Sequence, residues 1–179
     1  MKVLKFGGSS VATVERIQSI AKLLKERSDQ KKELTIVFSA FGGVTDELIN
    51  AANQASLGKV SYEQTLKSLK QRHIDATTAL LSSTTHLEPC LKQVEDNFDT
   101  LNDLLKGVYL VREASLRTMD YVLSFGERNS AFIITHYFSS QGLPAHYVDA
   151  REIIRTNKEF GNAKVNLDKS NALINEYYN

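Results

Sequence analysis

The segment K-F-G-G-S-S at residues 5–10 sets a lysine in front of two glycines and two serines. Gly7 and Gly8 carry no side chain to hold an anion away from the backbone. Ser9 and Ser10 bring hydroxyl donors, and Lys5 brings a full positive charge. A helix starting just beyond would add unpaired N–H groups and a partial positive charge. Such a corner suits a phosphate or a carboxylate. In phosphoryl transfer, where negative charge spreads over several oxygens, positioning and charge stabilisation are most of the task. The order differs from the G-x-x-x-x-G-K-[ST] phosphate loop, whose lysine follows its glycines. The same residues also fit a plain glycine turn with a lysine reaching water from a strand end.

Two further segments carry polar groups at informative places. In S-A-F-G-G-V-T-D-E-L (39–48), Ser39 and Thr45 flank a glycine pair. They could hold a small polar substrate, or Thr45 could cap the helix that follows. In S-F-G-E (124–127), Glu127 lies between two apolar segments. It is either exposed by a kink at Gly126 or buried with a partner. That partner could be a ligand ammonium group, or Arg128 or Arg117. His73, His86, His136 and His146 show no metal-ligand spacing. No G-x-S-x-G motif points to a covalent hydrolase.

The elements that must position these residues follow from hydrophobic spacing. Residues 2–6 read as a strand, and Val14, Ile17, Ala21 and Leu24 place a helix over 13–27. E-L-T-I-V-F-S-A (33–40) reads as a second strand, and after its glycine turn Leu48, Ala51, Ala52 and Ala55 mark a helix. Strand, glycine turn and helix thus occur twice, the rhythm of a parallel sheet covered by helices. Open sheets of that kind bind ligands at the strand ends. Residues 61–111 then predict two long helices. Leu66, Leu69, His73, Ala76 and Leu80 stripe the first. Leu87, Leu91, Val94, Phe98, Leu101, Leu105 and Val108 stripe the second. S-S-T-T-H (82–86) is the turn between them, and Pro89 suits the first turn of the second helix. These stripes are packing surfaces. Residues 116–123 and 128–140 read as two helices, the second closed by Gly142 and stopped by Pro144. A-H-Y-V-D (145–149) reads as a third strand. Asp149 caps a short helix, with Glu152 completing the box. Residues 155–166 form a polar loop, and 168–178 a last helix. Three strands make a thin sheet, and an unfinished one is expected, with an exposed edge that would invite pairing with another copy.

The composition is that of a globular domain. The chain has 179 residues, 42% hydrophobic and 24% charged, with 22 Lys+Arg against 21 Asp+Glu. A net charge of +1 gives no field for nucleic acid. No apolar run is long enough to span a membrane. Cys90 is the only cysteine, so no internal disulfide forms, and a reducing, cytoplasmic setting is expected. No repeat or linker is visible.

K-F-G-G-S-S-V, S-A-F-G-G-V-T-D-E-L, S-F-G-E and R-T-N-K-E-F-G-N-A occur in that order along the chain, and together they resemble the aspartokinases of the amino-acid-kinase superfamily. One departure is Ser9, where the family usually has threonine; the hydroxyl is kept. The resemblance implies an α/β fold, a three-layer αβα sandwich with a mainly parallel sheet. It implies transfer of the ATP γ-phosphoryl group, with Mg²⁺, to the side-chain carboxylate of L-aspartate. The product would be 4-phospho-L-aspartate, at the entry to lysine, threonine and methionine synthesis. Carried over by position, Lys5 would stabilise the transferring group, and Gly7, Gly8, Ser9 and Ser10 would line the phosphate site. Ser39 and Thr45 would contact aspartate, and Glu127 would hold its ammonium group. Family members continue with further strands, a G-R-G-G-S-D segment, most of the nucleotide pocket and regulatory domains. The resemblance therefore implies the N-terminal part of a catalytic domain with a helical hairpin inserted at about 61–111, inactive alone and homo-oligomeric in its parent. Another small-carboxylate kinase of the superfamily, or a non-catalytic binding module, is the alternative.

Overall fold

The computed structural model describes residues 2–27, 34–82 and 84–178. In chain order they form β1 (Lys2–Phe6), a 3-10 turn (Gly8–Val11), α1 (Val14–Arg27), β2 (Leu34–Phe38), α2 (Val44–Ser56) and α3 (Ser61–Leu80). Then follow α4 (Thr84–Val111), α5 (Leu116–Ser140), α6 (Ala150–Ile153) and α7 (Leu167–Tyr178). The fold is mostly helical around a small parallel sheet. β1 pairs with β2 in register from Lys2 opposite Leu34 to Phe6 opposite Phe38. Parallel strands need a crossover of a dozen or more residues, and α1 lies on that crossover.

Side-chain alternation decides what each face of the sheet meets. Phe6 stacks on Phe38 at 5.7 Å, and Phe38 meets the edge of Phe138 at 5.9 Å, so α5 covers one face. Val3, Lys5 and Val37 lie on the other face and are exposed. On that side Thr35 Oγ1 and Tyr178 Oη of α7 share a hydrogen bond of 2.8 Å. α5 thus covers one face, while α7 touches the other through this bond and leaves most of it exposed.

The core lies among the helices. α2 buries Val44, Leu48, Ala51, Ala52 and Ala55, and its small residues let α3, α4 and α5 pack closely around it. α3 buries Tyr62, Leu66, Leu69, His73, Thr77 and Leu80. α4 contributes Cys90, Val94, Phe98, Leu101, Leu105 and Val108. Burial pushes the Cys90 thiol up to about 12, against a weaker opposing bond from Thr77. Between α4 and α5, buried Asn97 Nδ2 donates to Asn129 Oδ1 at 2.6 Å. No helix among the described residues is long and apolar enough to cross a membrane.

The structure corrects several expectations about the elements, the turn expected at 82–86 among them, since Thr84–His86 already belong to α4. Residues 116–123 and 128–140 belong to one continuous helix, so S-F-G-E is not a break between two. A mid-helix glycine costs about 1 kcal/mol relative to alanine. Here close packing explains it: a Cβ on Gly126 would sit 2.9 Å from the Ala40 Cβ. Residues 145–149 form no strand. They are held by side chains instead: Tyr147 meets Phe132 edge-on at 5.2 Å, and Asp149 takes Arg128 at 3.6 Å and Arg151 at 2.6 Å. The described sheet therefore has two strands rather than three. Pro89 falls past the first turn of α4, because that helix begins at Thr84.

Other features match. Asp149 caps α6 by accepting from Arg151 N, and Gly142, at φ +75°, closes α5. Gly142 N donates to Ser139 O and Leu143 N to Phe138 O, both at 3.0 Å, the paired bonds of a glycine-ended helix.

Candidate functional site

The first corner is built by the residues after β1. Lys5 sits opposite Val37 near the strand end, with its side chain exposed. Gly7 is extended, and Ser10 N donates to Gly7 O at 2.9 Å, which starts the 3-10 turn. Ser9 is exposed and Ser10 half-buried. Arg16 Nη1 donates to Ser9 O, so a guanidinium braces the turn. The α-helix expected just past the glycines begins only at Val14. The 3-10 turn separates its amides from Gly7 and Gly8, and Thr13 Oγ1 accepts from Arg16 N there at 3.4 Å. The backbone around Gly7–Ser10, rather than the end of α1, offers donors at this corner.

The second corner rests directly on the first. A Cβ on Gly8 would lie 3.3 Å from Ala40 O and 3.9 Å from Ser39 Oγ. One on Gly42 would lie 2.9 Å from Ala12 Cβ and 3.4 Å from Gly8 O. The two glycine turns are therefore in mutual contact, and each needs the other's missing side chain. Ser39 N donates to Phe6 O at 3.0 Å, extending the strand pairing into the loop. Gly43, at φ +82°, caps α2 without any side-chain bond. Thr45 is the second residue of α2 and half-buried, so it is not the cap that its spacing suggested. From α3, Arg72 Nη2 donates to Gly42 O at 2.7 Å, and Nη1 lies 3.7 Å from Glu47 Oε1.

α5 supplies the third wall. Gly126 packs on Ala40, with Leu48 Cδ1 at 3.4 Å and Val44 Cγ1 at 3.5 Å from the position of its absent Cβ. One turn on, Ser130 Oγ donates to Ser39 O at 2.7 Å and reaches Glu127 O at 3.0 Å. Glu127 is exposed and pairs with neither Arg128 nor Arg117. Arg128 lies 4.7 Å over the Phe125 ring and 3.6 Å from Asp149, while Arg117 lies 5.6 Å over Phe160. The internal ion pair is thus not formed, and Glu127 keeps its carboxylate for solvent or a ligand. Beneath the loop, His73 stacks on Phe41 at 5.3 Å and meets Phe98 edge-on at 5.1 Å.

The structure brings together the turn of Gly7 to Ser10, the loop carrying Ser39, and the α5 turn carrying Glu127. Lys5 stands at the edge of this junction and Thr45 just beyond the loop. The loop 155–166 packs further along α5: Gly161 N donates to Asp120 Oδ2 at 2.9 Å. Sequence reasoning missed Arg16, Arg72 and Ser130. A signal for Ser130 was present, a serine one turn after Gly126 on an otherwise apolar helix face.

The amino acid kinase family matches residues 1–178. The chain is 34% identical over 167 residues to aspartokinase 2, chloroplastic, of Arabidopsis thaliana, covering 91% of this chain and 29% of that protein. It is 30% identical over 152 residues to the bifunctional aspartokinase/homoserine dehydrogenase 2, chloroplastic, of Zea mays, covering 85% of this chain and 16% of that one. Its fold is similar to that of E. coli aspartokinase III in complex with aspartate and ADP, with a TM-score of 0.87 and 22% identity. That likeness covers 99% of this chain and 37% of the solved one. The chain thus spans about 29% of the length of the curated aspartokinases it matches first. From its two glycine corners to its last helix, this chain belongs to the amino acid kinase family.

Proposed function

We propose that this chain is the acceptor- and phosphate-holding part of an aspartate kinase, and that 179 residues alone turn over little. The observation that carries the reading is the contact between the two glycine turns, which sets Ser39 Oγ beside the Gly8 backbone. An acceptor held at Ser39 would then lie next to a phosphate held over Gly7–Ser10. The structural neighbour from E. coli was solved with aspartate and ADP, which supports the choice of both ligands.

In this reading Ser39 and Thr45 bind aspartate and Glu127 takes its ammonium group. Gly7, Gly8, Ser9 and Ser10 face the phosphates, and Lys5 meets the charge that develops on the transferring group. An oxygen of the aspartate side chain attacks the γ-phosphorus. The new O–P bond forms as the bond to the β,γ-bridging oxygen breaks, and ADP leaves with that electron pair. The acceptor is already ionised at neutral pH, so no general base is required. The chain's contribution is to align two anions and offset their repulsion. Mg²⁺ enters with ATP as part of the substrate, bound chiefly by phosphate oxygens. Among the described residues no group of three or more His, Cys, Asp or Glu could hold it alone.

Self-association belongs to the same proposal, since the two described strands leave an unpaired edge on each side. The deciding experiment offers the protein, as it occurs in the cell, MgATP with aspartate or glutamate. The acyl phosphate is trapped with hydroxylamine. Hydroxamate from aspartate at about 1–100 turnovers per second supports the reading. Hydroxamate from glutamate alone assigns a sister kinase, and none from either acid returns the chain to a binding role.

A further inference from the structure

Ser130 is fully buried, at 0% exposure, on the α5 face that meets the loop after β2. Its hydroxyl has one proton to give and two carbonyl oxygens in reach. Glu127 O, at 3.0 Å, lies inside α5, where the helix already supplies it with a donor. Ser39 O, at 2.7 Å, lies in the loop, where Ser130 is its one donor among the described residues. The shorter bond therefore serves Ser39. It joins positions 91 residues apart in the chain. It also sits within one helical turn of Glu127, beside the Gly126–Ala40 contact.

We infer that Ser130 is a positioning residue for the acceptor, holding Ser39 and Glu127 at one fixed spacing. The inference rests on the aspartate-kinase reading, in which these two side chains grip opposite ends of one small amino acid. A gauge between the two grips sets the length of acid that fits. Aspartate and glutamate differ by one methylene, and a loosened loop would accept the longer acid more readily. Nothing in this role touches the nucleotide. Its signature is a change on the acceptor side alone.

The test uses the protein as it occurs in the cell, with Ser130→Ala removing the donor and Ser130→Cys keeping its shape with a weaker one. Thermal unfolding is measured alongside kinetics. The expected result for Ser130→Ala is a KM for aspartate raised about tenfold, a KM for ATP within about twofold, and weaker preference for aspartate over glutamate. Ser130→Cys should fall between wild type and Ser130→Ala, and serves for the comparison if Ser130→Ala does not fold. An unchanged aspartate KM and acid preference would overturn the inference while leaving the kinase reading intact. So would a parallel loss on both substrates that tracks a fall in Tm, or the failure of both variants to fold, since each marks a merely structural hydroxyl. A wild-type protein that does not phosphorylate aspartate would sink the aspartate-kinase reading itself.

Discussion

Gly126 of α5 and Ala40 of the loop after β2 approach so closely that a Cβ on the glycine would fall 2.9 Å from the alanine Cβ. The helix and the loop meet there without a side chain between them. Gly126→Ala should therefore act against its helix propensity. An exposed helix would gain about 1 kcal/mol from that change. Here overpacking should cost about 1–3 kcal/mol and leave the protein less stable. Denaturant midpoints decide it: a higher midpoint for the alanine variant would show that the contact is slack.

Lys5 stands exposed at the end of β1, next to Gly7 and Gly8. If it stabilises the transferring phosphoryl group, Lys5→Ala should lower kcat by about 1000-fold, or about 4 kcal/mol of transition-state stabilisation. KM for aspartate should hardly move. Steady-state kinetics on the whole protein check this, and an unchanged kcat would return Lys5 to a solvated strand end.

Arg72 holds the carbonyl of Gly42 from α3 and sits at ion-pair distance from Glu47. Hydrogen bonds from charged donors contribute about 1.5–3 kcal/mol, and this partly exposed one belongs at the low end. Arg72→Ala should destabilise the protein by about 1.5 kcal/mol and raise KM for aspartate by loosening the loop between Ser39 and Thr45. Arg72→Lys should recover little, since a single ammonium cannot reproduce the two-armed contact. Thermal melts and aspartate KM for the two variants form the check.

His73 makes stability fall in mild acid. Burial pulls its pKa down to about 4 from an ordinary 6.5; the Leu69 carbonyl bond opposes this and Arg72 adds to it. Between those two values the unfolded chain takes up a proton that the folded one refuses. The stability is full above about pH 6.5 and is lost as pH falls towards 4, by about 3 kcal/mol in all. His73→Asn cannot ionise and can still donate to Leu69 O, so it should flatten the slope. Urea unfolding across that range is the measurement, and an equal slope in both proteins would place the titration elsewhere.

Much of this fold was legible because its cues are local. A short, mostly apolar run marked β1, β-branched residues marked β2, and helical spacing marked α1 to α4 and α7. The two glycine corners could be expected side by side, because neighbouring parallel strands end together. The errors came where distant contacts decide. S-F-G-E looked like a break because glycine is a poor helix former, yet α5 needs Gly126 to touch Ala40. A-H-Y-V-D alternates like a strand, but Asp149 and Tyr147 are held by side chains, with no ladder. The serine one turn after Gly126 hinted at Ser130, but its partner Ser39 lies 91 residues away and no local cue names it. Thr45 had the right residue type for a cap, but the left-handed Gly43 took that place.

The thiol of Cys90, sealed in α4 and pushed up to about 12, has a practical consequence. At pH 7 only about one molecule in 100,000 would carry the reactive sulfur anion. Maleimide dyes and spin labels should therefore pass the native protein by. A cysteine introduced on its surface, at exposed Leu57 for instance, would be the sole attachment point within these 179 residues. A dye placed there would report from the far end of α2, with no need to delete the natural residue first.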